Sequence, residues 1–495
     1  MRSGVSGARQ TAPGSRAARG ASASSRSGSR EKRMASGNGD GDGPRRWRAG
    51  LGAAGFRVTA EGRRFCWAAM KLPLCRRAVL VVGLVLELLV LAGVGRAADA
   101  KALGFDPARL QRLDAVVQRH VDRKEIAGGI MFIARDGQTA HLKTYGMQDI
   151  EAGKPMAADT IFRIASMSKA VTSVAVMMLY EEGKFRLSDP VSKYIPAFRN
   201  SVVAVRPTDV NPAKPGKTYA TEAAKRGIRI RDLLTHTAGL TYGNGGLAEA
   251  DYKAANLTGW NFTAKTETIG DAINRLATLP LHGQPGEGYQ YGYSTDVLGY
   301  LVEVVSGMPL DQFFAQRIFG PLKMTDSCFY LPPEKAARLA NVYGWEGGKL
   351  VLKETPANSL YVTGPRKCFS GGAGLLSTAN DYGRLLQMLL NGGELDGVRI
   401  LGPKTVALMH ENHTGDKYKG DTGAFGLGFW VMNDVGYFGE VGSKGSYGWG
   451  SAYFPQYLVD PQERMVAFFM TQHMPSGGLD LNQRFKVLVY QALVK

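Results

Sequence analysis

The hydrophobic pattern changes character along the chain, and each change marks an element. Leu110, Leu113, Val116, Val117 and Val121 recur at helical spacing and predict an amphipathic helix. Gly129 to Ala134 is a continuous apolar run ending at Asp136-Gly137, which predicts a strand, a tight turn and a return strand toward Tyr145. Helical patterns follow over Ala170–Glu182 and Asp296–Ser306, within a helix-rich middle. Near the C-terminus, Gln456–Asp460 and Arg464–Thr471 read as strands around an Asp460-Pro461 turn, and a last helix starts at about Asn482. Strands at both ends with helices between them predict an α/β (α+β) fold. Its mainly antiparallel sheet is closed by the two ends of the chain and flanked by helices, with a further helical region. No internal repeat is present.

The first hundred residues differ. Residues 1–69 are rich in Gly, Ser, Ala and Arg without apolar period, so they cannot bury enough surface to offset their ordering entropy. Met70-Lys71 then opens a basic stretch through Arg76-Arg77, followed by an apolar run from Ala78 to Val94 and small residues around Ala97-Ala98. A basic head, apolar middle and small-residue exit make a secretory signal peptide, which begins a protein. The expectation is therefore that Met70 initiates the protein, with 1–69 a mis-called extension, 70–97 the signal peptide and 98–495 the hydrolase domain of a periplasmic or secreted protein. Glu87 within the apolar run leaves an uncleaved membrane anchor as the alternative. The formal charge of +18 adds little to this picture. The first hundred residues hold 18 Lys and Arg against 6 Asp and Glu, two thirds of the excess, so a nucleic-acid partner is not expected of the globular part.

Chemistry enters at Ser166-Met167-Ser168-Lys169. A helix starting near Ser166 sets Lys169 one turn on, on the same face. A serine hydroxyl becomes a nucleophile when a neighbouring base takes its proton, and a lysine serves only if burial or nearby charge keeps its amine neutral. The tetrad alone is a weak signal. Its surroundings, Phe162 to Thr172, resemble the nucleophile segment of the serine β-lactamase-related family, which includes class C β-lactamases, D-alanyl-D-alanine carboxypeptidases and family VIII esterases. Leu187 to Val191, Ile195-Pro196 and Ile230 to Leu240 resemble its next stretches in the same order. The resemblance spans about Leu110 to Thr471 and implies the β-lactamase/transpeptidase-like fold.

The resemblance also implies the remaining site residues. The family carries a tyrosine ahead of a Leu-Gly helix, and counting back from Asp296-Val297-Leu298-Gly299 selects Tyr291 rather than Tyr293. Tyr293 then stands where the family often has Asn, and is expected to contact substrate. Ser166, Lys169 and Tyr291 are the expected catalytic residues; whether Lys169 or Tyr291 takes the Ser166 proton stays open. His236 is expected to be structural, bonding backbone in a turn. The third family element, a cationic strand motif, is matched best by Tyr447 to Ala452, resembling a Trp-Gly-Gly variant with Ser451 in place of the last Gly. The rival register is Lys444-Gly445-Ser446. The first register makes Trp449 and Gly450 substrate-binding residues and gives the oxyanion hole to the backbone N–H groups of Ser166 and Ala452. Trp449 cannot bind a substrate carboxylate as a cation does, so an uncharged ester is favoured. The Ser370 to Asp381 segment, also family-like, has glycines for a tight turn and close packing.

The expected protein is thus an exported serine hydrolase working through an acyl-enzyme on a small ester or amide, without metal or organic cofactor and without a nucleic-acid partner. Alternatives are a β-lactamase or D-amino-acid peptidase on the same machinery, or a periplasmic binding protein that has kept the pocket without the chemistry. A membrane is a partner only if the leader is uncleaved. Cys328 and Cys368 could pair in an oxidising compartment or stay as free thiols.

Overall fold

The computed structural model describes residues 99–495 except 214, 421 and 477. The expected extension over 1–69 and signal peptide over 70–97 lie outside the described residues. Among the described residues no helix is long and apolar enough to cross a membrane.

An eight-stranded sheet carries the fold. In chain order its strands are β1 (Gly128–Arg135), β2 (Gln138–Asp149), β3 (Lys154–Pro155), β4 (Gly423–Phe425), β5 (Trp430–Met432), β6 (Tyr447–Gly450), β7 (Gln456–Asp460) and β8 (Met465–Met470). They lie in the order β4-β5-β6-β7-β8-β1-β2-β3, every pair antiparallel. The two ends of the chain meet at the β1–β8 seam, where Ile130 faces Met470 and Phe132 faces Phe468. The turn between β1 and β2 uses Asp136 and Gly137 at φ of 52° and 74°, the paired positive values of a two-residue hairpin turn.

Both faces of this seam are buried, and the pleat decides which residue goes where. Met131, Ile133, Met465, Ala467 and Phe469 point to one side and pack with Leu110, Leu113 and Val117 of helix α1 (Pro107–Asp122) and with Phe485 and Val489 of the C-terminal helix Leu481–Tyr490. Asp106 starts α1 by accepting from the backbone N–H groups of Ala108 and Arg109, with Pro107 in the first turn. Ile130, Val466, Phe468 and Met470 point to the other side, into a larger core shared with helices α2 (Ser168–Glu181), α3 (Ser294–Ser306) and α4 (Ala379–Leu390). Phe132 and Phe468 stack there at 4.7 Å.

Helix α2 is almost wholly buried, starting two residues earlier than its apolar pattern suggested. It packs beside α3, which stops at Gly307 in the left-handed region. Gly371 fits between them because a Cβ there would meet the Thr295 carbonyl at 2.8 Å, and a Cβ on Gly372 would meet Asp296 Oδ2 at 2.5 Å. These glycines serve close packing, as the sequence suggested. Cys328 and Cys368 are both free thiols.

Candidate active site

Ser166 is delivered to strand β6 by a short, heavily anchored segment. Ile161–Arg163 pairs with Leu376–Thr378, and the wholly buried Arg163 guanidinium donates to the Ala340 carbonyl and to Ser359 and forms an ion pair with Glu354 at 2.7 Å. Ala165 then takes a φ of 35°, unusual for a residue with a Cβ, and Ala165–Met167 forms a single 3-10 turn leading into α2. This turn aims Ser166 into a cleft of about 480 Å³, lined also by Tyr242, Trp260, Tyr291, Trp430, Trp449 and the Gly450 to Ala452 segment.

Three expected residues meet. Tyr291 Oη donates to Ser166 Oγ at 2.9 Å, and Lys169 Nζ lies 3.3 Å from the same oxygen. Lys169 is 1% exposed; its ammonium also donates to the Gly372 carbonyl at 2.7 Å and to Tyr242 Oη at 3.2 Å, and sits 4.7 Å from the centre of the Tyr291 ring. Trp449 Nε1 donates to Tyr291 Oη at 3.2 Å. Ser166 and Ala452 line the same cleft, and neither backbone N–H has an acceptor within the described residues.

Buried groups behind Lys169 hold it in place. Asp296, fully buried on α3, accepts from Ser370 Oγ at 2.5 Å and from the Gly372 N–H at 3.1 Å, so the residue that offers its carbonyl to Lys169 is itself pinned. Burial pushes the Asp296 carboxyl up, against the hydrogen bonds and the Lys169 charge that hold it down. Burial likewise raises the Tyr242 phenol well above its ordinary range, leaving it a neutral hydroxyl toward Lys169.

Two expectations need correction. Tyr293 does not face the cleft. It is fully buried beneath it, donating to the Gly259 carbonyl at 2.5 Å and stacking on Phe262 at 5.5 Å. The cause is register: Tyr293 caps α3 and points into the helical core, while Tyr291, two residues earlier, points out of it. His236 is indeed a turn residue, at a φ of 53° with its backbone bonded, but its ring makes no hydrogen bond to backbone among the described residues. Instead the ring packs 4.7 Å from that of Tyr291. Burial, and then the Lys169 charge, hold its imidazole neutral.

The rival cation Lys444 lies outside the cleft, exposed in the turn before β6, with its carbonyl accepting from Gln462. Trp449 stands on β6 opposite Tyr457. Sequence reasoning missed Tyr242, Trp260 and Trp430. Tyr242 alone had a signal, two residues beyond the His236 to Leu240 stretch.

The chain is similar to known proteins over most of its length. The Beta-lactamase family model matches residues 113–491. Esterase EstB of Burkholderia gladioli is 30% identical over 397 residues, covering 77% of this chain and 94% of the relative. Protein Rv1367c of Mycobacterium tuberculosis (strain ATCC 25618 / H37Rv) is 34% identical over 383 residues, covering 74% and 90%. Among solved structures, EstCE1, described as a hydrolase with promiscuous acyltransferase activity, superposes with a TM-score of 0.66 at 26% identity, covering 78% of this chain and 99% of its own. With the match running over most of its length, this chain belongs to the β-lactamase family and is a serine hydrolase of the β-lactamase fold.

Proposed function

We propose that the protein is an exported carboxylic-ester hydrolase in which Ser166 is the acylated nucleophile and Lys169 and Tyr291 handle its proton. The observation that carries the ester reading is the wall of the cleft. Apart from Lys169 behind the nucleophile, no lysine, arginine or histidine lines it among the described residues, and the family register puts an indole, Trp449, at the position of the carboxylate-binding cation. An apolar aromatic wall favours an uncharged acyl ester over a penicillin or a terminal D-alanine. The esterase name of the B. gladioli relative points the same way.

In this reading Tyr291, once it has given up its own proton to solvent, takes the Ser166 proton as a phenolate across the 2.9 Å contact between the two oxygens. The Trp449 N–H and Lys169, close to the Tyr291 ring, would stabilise the negative charge on that oxygen until the proton arrives. The carbonyl oxygen of the substrate would draw on the free N–H groups of Ser166 and Ala452. The acyl group then sits on Ser166 until water removes it. Export rests on the basic, apolar and small-residue order over 70–97.

The test is a panel on the purified protein: a nitrophenyl butyrate, a chromogenic cephalosporin and a D-Ala-D-Ala peptide. Ester turnover at least a hundred-fold above the other two is expected, and a faster cephalosporin would overturn the reading. N-terminal sequencing of the mature protein checks export, with a start near residue 98 expected.

A further inference from the structure

The stretch before His236 and the loop ahead of β4 enclose a cavity of about 180 Å³, which shares no lining residue with the catalytic cleft. Arg226, Arg229, Arg231 and Lys417 line it, and among the described residues Asp232 is the one carboxylate of the lining. Asp232 is buried and already spent. Arg226 donates to both of its oxygens, at 2.5 and 3.0 Å, and the backbone N–H of Arg229 donates to it at 2.8 Å. The His413 ring is committed as well, to the Leu408 carbonyl at 2.8 Å.

Three cations are left over. Among the described residues the Arg229 guanidinium has no partner. Arg231 spends one N–H on the His413 carbonyl at 3.0 Å, and Lys417 reaches only the Thr414 carbonyl at 3.5 Å, so neither is neutralised by a carboxylate. All three residues are exposed, and an ion from solvent has direct access to them. Like charges around one small concavity repel each other and concentrate anions there. The type of cation narrows the choice. Guanidinium forks match the paired oxygens of an oxyanion, which a spherical chloride does not offer. A dianion balances more of the surplus than a carboxylate does, and the volume suits a compact ion.

We infer that this cavity binds a compact tetrahedral oxyanion, phosphate or a phosphoryl group, through Arg229, Arg231 and Lys417. The inference does not depend on the ester-hydrolase reading. Thr237, which also lines the cavity, accepts from the Gly286 N–H at 2.7 Å through its carbonyl, and the His236 carbonyl accepts from the Gln290 N–H at 2.7 Å. The anion therefore sits against the turn that carries the segment ending in Tyr291. It ties residues 229–231 to the loop around Lys417, and because only the folded chain brings these cations together, it stabilises the fold.

The experiment titrates the purified protein with inorganic phosphate by calorimetry, against sodium chloride at equal ionic strength, and follows the melting temperature in the same buffers. One saturable site is expected, with a melting temperature that climbs with phosphate and not with chloride. Arg229→Gln and Lys417→Gln should each weaken phosphate binding about three- to ten-fold, the size of a charge-assisted hydrogen bond at an exposed position. Neither should lower the melting temperature in chloride, since each removes a repulsion and no partner. Lys444→Gln, at an exposed cation outside the cavity, should leave the affinity unchanged. Glycerol 3-phosphate separates the two sources. Tighter binding than the free ion assigns the site to a phosphoryl group carried on a larger molecule, and weaker binding assigns it to phosphate itself. A phosphate response no greater than that of chloride, or full affinity retained in both cavity variants, overturns the inference and leaves the ester-hydrolase reading untouched.

Discussion

The indole N–H of Trp449 donates to the phenolic oxygen of Tyr291 across 3.2 Å, joining strand β6 to the start of α3 at the point where Ser166 also reaches. A wall residue is thereby tied to the proton chemistry. Trp449→Phe keeps an aromatic wall, smaller than the indole, and removes the donor. The expected result is a fall of about ten-fold in kcat for a nitrophenyl ester with KM little changed, the loss of one hydrogen bond to the ionised phenolic oxygen. A change confined to KM would make Trp449 a wall and nothing more.

Lys169 and Tyr291 converge on one oxygen, so they should behave as a unit. Tyr291→Phe and Lys169→Met are each expected to lower kcat by about 10² to 10⁴. The double variant should fall within about ten-fold of the worse single one, because either loss already disables the proton path. Steady-state kinetics on all three, with circular dichroism to confirm folding, checks this. Multiplicative losses would mean that the two act independently.

Ala165, with its φ of 35° immediately before Ser166, gives a stability contrast. Ala165→Gly should be tolerated to within about 1 kcal/mol, since relief at positive φ offsets the added freedom of the unfolded chain. Ala165→Val should lower stability by about 2 kcal/mol or more, a β-branched residue being an outlier at this fully buried position. Thermal melts and the rate of labelling by a fluorophosphonate probe should show the valine variant losing both.

Asp114 on α1 gathers hydrogen bonds from His141, Lys143 and Tyr145 of β2. Burial pushes its carboxyl up, but those three bonds outweigh it and bring the group down from its ordinary 3.8 to about 2. A depressed carboxyl stabilises the fold above its unfolded value and loses that contribution as pH falls through the folded one. Asp114→Asn should therefore destabilise by about 2 kcal/mol at neutral pH. The gap should narrow below about pH 4 and close near pH 2, as read from denaturant melts across that range. A gap that stays constant with pH would refute the assignment.

Much of the frame was legible because its signals are local. The apolar spacing of α1, the Asp136-Gly137 turn and the strands on either side of Asp460-Pro461 all stand in the structure within a few residues of where their patterns put them. The serine, the lysine and Tyr291 could be proposed as neighbours because each belongs to a motif with a fixed register. Strands β4 and β5, three residues each, are too short for alternation to show, and with them Trp430 went unread. The hairpin of Val342–Glu346 and Lys349–Glu354 did carry a signal, Gly347-Gly348 at positive φ, which the helix-rich reading of the middle passed over. Tyr293 was misplaced because residue type says nothing about which way a helix cap faces.

The seam between β1 and β8 has a consequence for how the enzyme comes into being. The nucleophile lies early in the described chain, yet the strand that completes its sheet, and the tryptophan that touches its tyrosine, are made some three hundred residues later. A nascent chain halted before residue 447 holds Ser166, Lys169 and Tyr291 without Trp449 and the Gly450 to Ala452 side of the pocket, so hydrolytic capacity should emerge only when synthesis is nearly finished. Such long-range closure folds slowly, and a chain of this design stays inert for as long as its ends are kept apart.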